Sequence, residues 1–117
     1  MSTVRGIRGA ITVTHNDKAE ILAATKELLQ KMVADNALVI DAIATAVFTA
    51  TPGLNAEFPA VAAREIGWND TPLLCTQEIA VPGGLPNCIR ILLLVNTDKK
   101  PQEIKHVYLR EAVNLRR

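Results

Sequence analysis

The first segment of the chain alternates between larger apolar residues and small or polar ones. The alternation runs from Val4 to Val13, and a period of two predicts a β-strand with one buried face. Arg8 falls on the same face as Gly6 and Ala10, two small residues that leave space beside it. We therefore expect one charged side chain on a face otherwise made of small residues.

The second segment has apolar residues at helical spacing and predicts a helix over 18–34. Asp17 followed by Glu20 has the spacing of a capping box, in which each residue satisfies a backbone N–H of the other. The predicted buried stripe consists of Ile21, Leu22, Leu28, Leu29, Met32 and Val33.

The middle of the chain predicts a strand, a short helix and two further strands. The stretch ATAVFTATPG is rich in β-branched residues and ends at a Pro-Gly turn. In NAEFPAVAAREIGW, a proline near the start and a glycine near the end are typical of a short helix. TPLLCTQEIAV predicts the third strand, and Gly83-Gly84 then turns the chain into a fourth strand that begins at Cys88.

These elements predict an α+β fold with a mixed sheet, in which the Gly-Gly turn indicates an antiparallel pair. The last segment predicts a helical turn, a short strand over Val107–Leu109 and a final turn. We expect residues 1–117 to form a single domain, given the length and the lack of a linker. One long and one short helix cannot cover both faces of so apolar a sheet, so we expect a partner chain to cover the rest.

Arg90 is the least expected residue of the fourth strand. It lies between Ile89 and Ile91 in a run from Cys88 to Val95 that is otherwise apolar, and such a run predicts a strand buried on both faces. A buried guanidinium requires an anionic partner. The partner is either Glu78, in an ion pair that holds the sheet in register, or an anion that the protein binds.

Composition and charge exclude several classes of protein. A net charge of +1 offers no basic surface for nucleic acid, and no run approaches the roughly 18 apolar residues of a membrane helix. The N-terminus lacks the apolar segment of a secretion signal, so we expect a cytoplasmic protein with reduced thiols. Two cysteines and two histidines are too few for a disulfide framework or a closed zinc site: Cys75, Cys88, His15 and His106.

Familiar catalytic motifs are also missing. No Ser-His-Asp grouping can be proposed on firm grounds, and no glycine-rich phosphate loop is present. If the protein is an enzyme, we expect it to act by positioning and fixed charge, without a metal or cofactor.

Five stretches, in order and spacing, resemble the AroH-class chorismate mutases: VRGIRGA, FPAVAAREIGW, CTQEI, GGLPNCIRILLLVNTD and IKHVYLREAVNLR. The resemblance covers nearly the whole chain. It implies a homotrimer with a barrel-like centre and active sites at the subunit interfaces. It also implies that chorismate rearranges to prephenate within one molecule, in phenylalanine and tyrosine biosynthesis, without nucleophile, proton transfer or cofactor.

The resemblance also implies roles for individual residues. Arg90 would donate to the ether oxygen and a nearby carboxylate, while Arg8 and Tyr108 would hold a carboxylate. Glu78 and Cys75 would hold the ring hydroxyl. The remaining predicted contacts line the pocket or its mouth: Phe58, Arg64, Leu74, Thr76, Gln77, Leu115 and Arg116.

Two features complicate this assignment. Cys75 and Glu78 are three residues apart, so a regular strand would send them to opposite faces unless it bulges or turns, or unless residue 75 contributes its backbone. Val61 stands where lysine is frequent in the class, and Leu74 where threonine is frequent. The loss of a cation near the mouth would affect substrate affinity more than the chemistry.

Two alternatives of other classes stay open. A non-catalytic trimeric protein of ferredoxin-like build that senses a small anion would explain the arginines equally well, but not the joint spacing of Cys75, Glu78, Arg90 and Tyr108. A purely structural interaction protein gives no reason to bury Arg90. A binding protein would leave chorismate decaying at its uncatalysed rate, so an absorbance assay distinguishes these classes.

Overall fold

The computed structural model describes residues 3–115, which form two α-helices and one five-stranded sheet. The elements are β1 (Thr3–Thr12), α1 (Lys18–Asp35), β2 (Ile43–Ala50), α2 (Ala60–Glu65), β3 (Leu73–Gln77), β4 (Cys88–Thr97) and β5 (Val107–Tyr108). Short 3₁₀ segments lie at Ile40–Ala42, Pro101–Glu103 and Arg110–Leu115. The predicted α+β class and the order of elements along the chain are confirmed. No helix among the described residues is both long and apolar enough to cross a membrane.

The sheet is mixed, with the strand order β3-β2-β4-β1-β5. β4 pairs antiparallel with both β1 and β2, whereas β3 is parallel to β2 and β5 is parallel to β1. The predicted antiparallel pair across Gly83-Gly84 is therefore wrong, because β2 lies between β3 and β4. The connection from β3 to β4 passes the end of β2. There Glu78 N–H donates to Ala50 O, and Thr51 N–H donates to Cys88 O.

Helix α1 is capped at its N-terminus by Asp17, whose carboxylate accepts the backbone N–H of Glu20 at 3.0 Å. Only this half of the predicted capping box is present. The carboxylate of Glu20 turns away and accepts the N–H groups of Thr14 and His15. The predicted stripe is confirmed, although Val33 at its edge is only half-buried.

Helices α1 and α2 cover one face of the sheet and enclose the main core. Phe48, Leu28 and Trp68 are buried there. α1 lies so close to β1 that a Cβ added at Gly9 would clash with Met32 Sδ and lie 3.2 Å from Leu28 Cδ1. A larger residue at position 9 would force the buried side chains of Met32 and Leu28 to shift.

The opposite side of the sheet, here called the open face, is uncovered over most of its area. Val4, Leu74 and Leu92 are exposed on it, while Ala10 and Cys88 at one end are covered by Arg110–Leu115. The prediction that β4 is buried on both faces is wrong for the single chain. Apolar residues continue onto the open face of β4, and they concealed its alternation.

Candidate active site

Two rows of side chains cross the open face, because residues paired across neighbouring strands point in the same direction. The first row consists of Arg8, Leu92, Val47 and Leu74. The second row consists of Tyr108, Ala10, Arg90, Thr49 and Thr76. The register of the sheet thus brings Arg8, Arg90 and Tyr108, which are distant in sequence, to one area.

Arg90 forms an ion pair with Glu78, in which Nε lies 3.3 Å from Oε2. Thr49 Oγ1 donates to the same carboxylate oxygen at 2.9 Å. The ion pair is not deeply buried, because 44% of the Arg90 side chain and 26% of the Glu78 side chain are exposed. Arg90 therefore has an internal partner as well as access to a ligand, and the predicted buried position is corrected.

A cleft of about 300 Å³ lies beside this ion pair and is here called the arginine cleft. Its volume is at the lower end of the range typical of small-molecule sites. Its lining contains Thr49, several apolar residues, three candidate donors and one carboxylate, the last four being Arg8, Tyr108, Arg90 and Glu78. The donors can bind an anionic ligand, and Glu78 can accept a hydrogen bond from a hydroxyl group of that ligand.

The C-terminal segment places Tyr108 at this cleft. Strand β5 pairs Tyr108 with Ala10, and the Tyr108 ring packs against the Ala10–Cys88–Ala112 cluster. Leu115 packs against the same cluster and so lies on this side of the molecule. The backbone N–H of Arg8 donates to His106 Nδ1 at 2.9 Å, which also connects β1 to this segment.

Cys75 lies in a second cleft of about 570 Å³, here called the cysteine cleft, whose lining includes Phe58, Thr76 and Gln77. Cys75 pairs with the core residue Phe48 and packs against the main core. Burial raises the pKa of its thiol, against the smaller opposing effects of the Ala60 N–H and the Arg64 charge. The thiol is therefore protonated near neutral pH and can donate a hydrogen bond.

The spacing argument about Cys75 and Glu78 is confirmed within one chain. β3 ends at Gln77, and Glu78 turns towards Thr49 and Arg90, while Cys75 faces the helices. Strand β3 pairs with β2 in continuous register, so no bulge brings the two side chains together. One chain thus divides the predicted contacts between two clefts.

The other predicted contacts lie outside the linings of these two clefts. Arg64 is exposed on α2, and Leu74 is 60% exposed on the open face. Val61, at the position where lysine is frequent in the class, is half-buried on α2. Arg116 lies outside the described residues.

Sequence reasoning missed Thr49, which fixes the carboxylate of Glu78 and lines the arginine cleft. Alternation along β2 puts Thr49 on the other face of the sheet from its buried neighbour Phe48. Only the register between β2 and β4 shows that Thr49 lies beside Arg90. Among the described residues, no group of three or more His, Cys, Asp or Glu side chains could hold a metal ion.

Comparison with known proteins identifies the family. The family described as chorismate mutase type I matches residues 4–117. Relatives named chorismate mutase AroH are 51% identical in Thermus thermophilus and 46% identical in Bacillus subtilis, each over 97% of this chain and 93% and 90% of the relative. A solved chorismate mutase from Clostridium thermocellum superposes with a TM-score of 0.93 at 50% identity, over 94% of this chain and 98% of the other. The chain belongs to the type I chorismate mutase family, which confirms the resemblance inferred from the sequence.

Proposed function

We propose that this protein is an isomerase that converts chorismate to prephenate for phenylalanine and tyrosine biosynthesis. The reaction is a rearrangement within one dianionic molecule, in which a carbon–oxygen bond breaks as a carbon–carbon bond forms. Negative charge develops on the ether oxygen as the bond breaks. The observation that carries the proposal is the convergence of Arg8, Arg90, Tyr108 and Glu78 on the arginine cleft, in a chain of this family.

Arg90 is the residue we assign to the ether oxygen. Its ion pair with Glu78 uses Nε, so the two Nη nitrogens are the atoms we assign to the ether oxygen and an adjoining carboxylate. A fixed donor that meets charge formed only in the transition state lowers the barrier to reaction. No proton transfer, nucleophile or cofactor enters this scheme.

Arg8 and Tyr108 would bind a carboxylate of the substrate, and Glu78 would accept from the ring hydroxyl. Glu78 Oε2 already accepts from Thr49 and contacts Arg90, so Oε1 is the oxygen we assign to the hydroxyl. Glu78 then acts as a charged acceptor and not as a general base.

We propose that the active protein is a homotrimer with shared sites. Exposed Leu74 and Leu92 on the open face support the need for a covering chain. Cys75 and Glu78 belong to different clefts of one chain, so both can contact one substrate if the cysteine cleft of one copy meets the arginine cleft of another. Phe58, Thr76 and Gln77 would enter the site with Cys75, and Arg64, Leu74, Leu115 and Arg116 would lie around its mouth. The cytoplasmic location and the single domain over 1–117 stay predictions.

The test is the loss of chorismate absorbance with purified protein, followed by detection of prephenate. We expect saturable turnover without added metal or cofactor. A binding protein would leave chorismate decaying at its uncatalysed rate, which would overturn the proposal.

A further inference from the structure

The side chain of Asn16 holds the loop that carries Phe58. Asn16 Oδ1 accepts the backbone N–H groups of Asn55 and Ala56, both at 3.0 Å. Asn16 Nδ2 donates to Asn55 Oδ1 at 2.7 Å. Because one oxygen accepts from two successive N–H groups, it fixes both the position and the direction of that backbone.

The next two residues of the loop, Glu57 and Phe58, also make polar contacts that hold them. The N–H of Phe58 donates to Glu57 Oε1 at 2.8 Å, and Glu57 Oε2 lies 3.5 Å from Lys18 Nζ. Asn16 and Lys18 flank Asp17, which caps α1. The loop is therefore attached to a fixed helix start.

Phe58 depends on this attachment more than a core residue would. It is 67% exposed, so packing within the chain does little to fix it. The cysteine cleft has two walls, one formed by the 50–59 segment and the other by Cys75, Thr76 and Gln77. The separation of the two walls depends on how the loop is held.

We infer that Asn16 is a positioning residue for substrate binding, which keeps the Phe58 loop at a fixed distance from β3. The inference rests on the proposed function, because only there do Phe58 and Cys75 contact substrate. Asn16 does not line the arginine cleft, to which we assign the donors to the breaking bond. Its loss should therefore weaken binding of chorismate and leave the chemical step largely intact.

The experiment compares Asn16→Ala with Asn16→Asp by steady-state kinetics on chorismate. Asn16→Ala removes the acceptor of two neutral hydrogen bonds, and we expect KM to rise about tenfold, which corresponds to about 1.4 kcal/mol. We expect kcat to change by less than about twofold, as for lost uniform binding. Asn16→Asp keeps the acceptor, and the Asn55 amide can turn over to donate to it, so this variant should restore most of the affinity.

Amide hydrogen exchange supplies a readout that does not depend on activity. The Asn55 and Ala56 amides should exchange faster in Asn16→Ala than in the wild type or in Asn16→Asp. Asn69→Ala, at an exposed asparagine in the loop after α2, is the matched control.

Two results separate the inference from the proposed function. An inactive wild type would overturn the proposed function. An active wild type, with unchanged KM in Asn16→Ala despite faster amide exchange, would overturn the Asn16 inference alone. If Asn16→Ala and Asn16→Asp lower kcat to the same extent, and also lower the melting temperature to the same extent, Asn16 has a structural role. That result would also overturn the inference.

Discussion

Arg90 of β4 and Glu78 at the end of β3 meet across the intervening strand β2, with Nε of the arginine 3.3 Å from Oε2 of the glutamate. In the single chain both side chains keep access to solvent, so the pair resembles an exposed salt bridge more than a buried one. Exposed pairs contribute about 0–1 kcal/mol to stability. The pair is therefore better suited to orienting a guanidinium than to holding the sheet together.

Replacement of Arg90 by its neutral isostere citrulline should separate catalysis from stability. We expect kcat to fall by at least about 10²- to 10³-fold, because a charged donor to the transition state is lost. The free energy of unfolding should fall by no more than about 1 kcal/mol, in contrast to the roughly 3–5 kcal/mol expected for an orphaned buried charge.

Steady-state kinetics and denaturant unfolding measure the two effects. Citrulline at Arg110 is the matched control, because Arg110 pairs with Glu27 at 2.9 Å and is similarly exposed, at 43%. Full activity in a folded Arg90 variant would contradict the assigned role.

Substitution of Leu92 by glutamate tests the proposed trimer. Leu92 is 38% exposed near the centre of the open face, and a charge there would be buried by a partner chain at high cost. Sedimentation equilibrium should show a trimer for the wild type and a folded monomer for Leu92→Glu. Val39→Glu, at a 67% exposed site in the connection between α1 and β2, should leave the mass unchanged. An active wild-type monomer would contradict the shared-site arrangement.

The dependence of kcat on pH should be nearly flat around neutrality, because no group gains or loses a proton in the reaction. Cys75 agrees with this expectation, since burial raises its pKa from the ordinary value of 9.0 and keeps the thiol protonated. A bell-shaped profile with limbs near about pH 6 and 8 would instead indicate acid–base catalysis.

Glu20 should contribute to stability in a pH-dependent way. The N–H of Thr14, with help from His15, lowers the pKa of this carboxyl from its ordinary 4.5. A lowered native pKa stabilises the fold above the unfolded value, and the contribution is lost as the pH falls through the native value. Glu20→Gln should therefore be less stable than the wild type at pH 7, and the difference in free energy of unfolding should shrink below pH 4.5. A constant difference at all pH values would contradict this.

Gly9→Ala should destabilise the chain, because the new Cβ would clash with Met32 Sδ and lie 3.2 Å from Leu28 Cδ1, in side chains that are fully buried. Overpacking of this kind typically costs about 1–3 kcal/mol. Gly6→Ala in the same strand is the control, since its Cβ would meet Leu92 Cδ1 at an ordinary 3.4 Å. Equal denaturation midpoints for the two variants would show that α1 can shift away from the sheet.

Local patterns predicted the elements that have a clear hydrophobic period or clear turn and capping residues at their ends. α1 follows from its apolar stripe, and β1 from its alternation between Val4 and Val13. β4 was found but misjudged, because Leu92 and Leu94 are apolar residues on the open face and hide the period of two. A strand with apolar residues on both faces resembles a fully buried strand in sequence, even when one face is uncovered in the single chain.

The order of strands could not be predicted, because it depends on pairings between distant segments. Gly83-Gly84 resembles a hairpin turn, yet β2 occupies the place between β3 and β4. The same non-local register places Thr49 beside Arg90. For the site, the unusual charged residues in apolar strands drew attention to Arg90 and Glu78. The spacing of Cys75 and Glu78 already indicated opposite faces, whereas the two separate clefts required the structure.

The pairing of the first strand has a consequence for synthesis of the protein on the ribosome. β1 is hydrogen-bonded to β4, with Thr12 opposite Cys88 and Thr3 opposite Thr97, and then to β5. During translation β1 emerges before the other described strands, but its partners β4 and β5 are the last two of them to be made. Contacts of such large sequence separation form late and slowly. We therefore expect the nascent chain to expose β1 until β4 and β5 have left the ribosome, so that the sheet closes late.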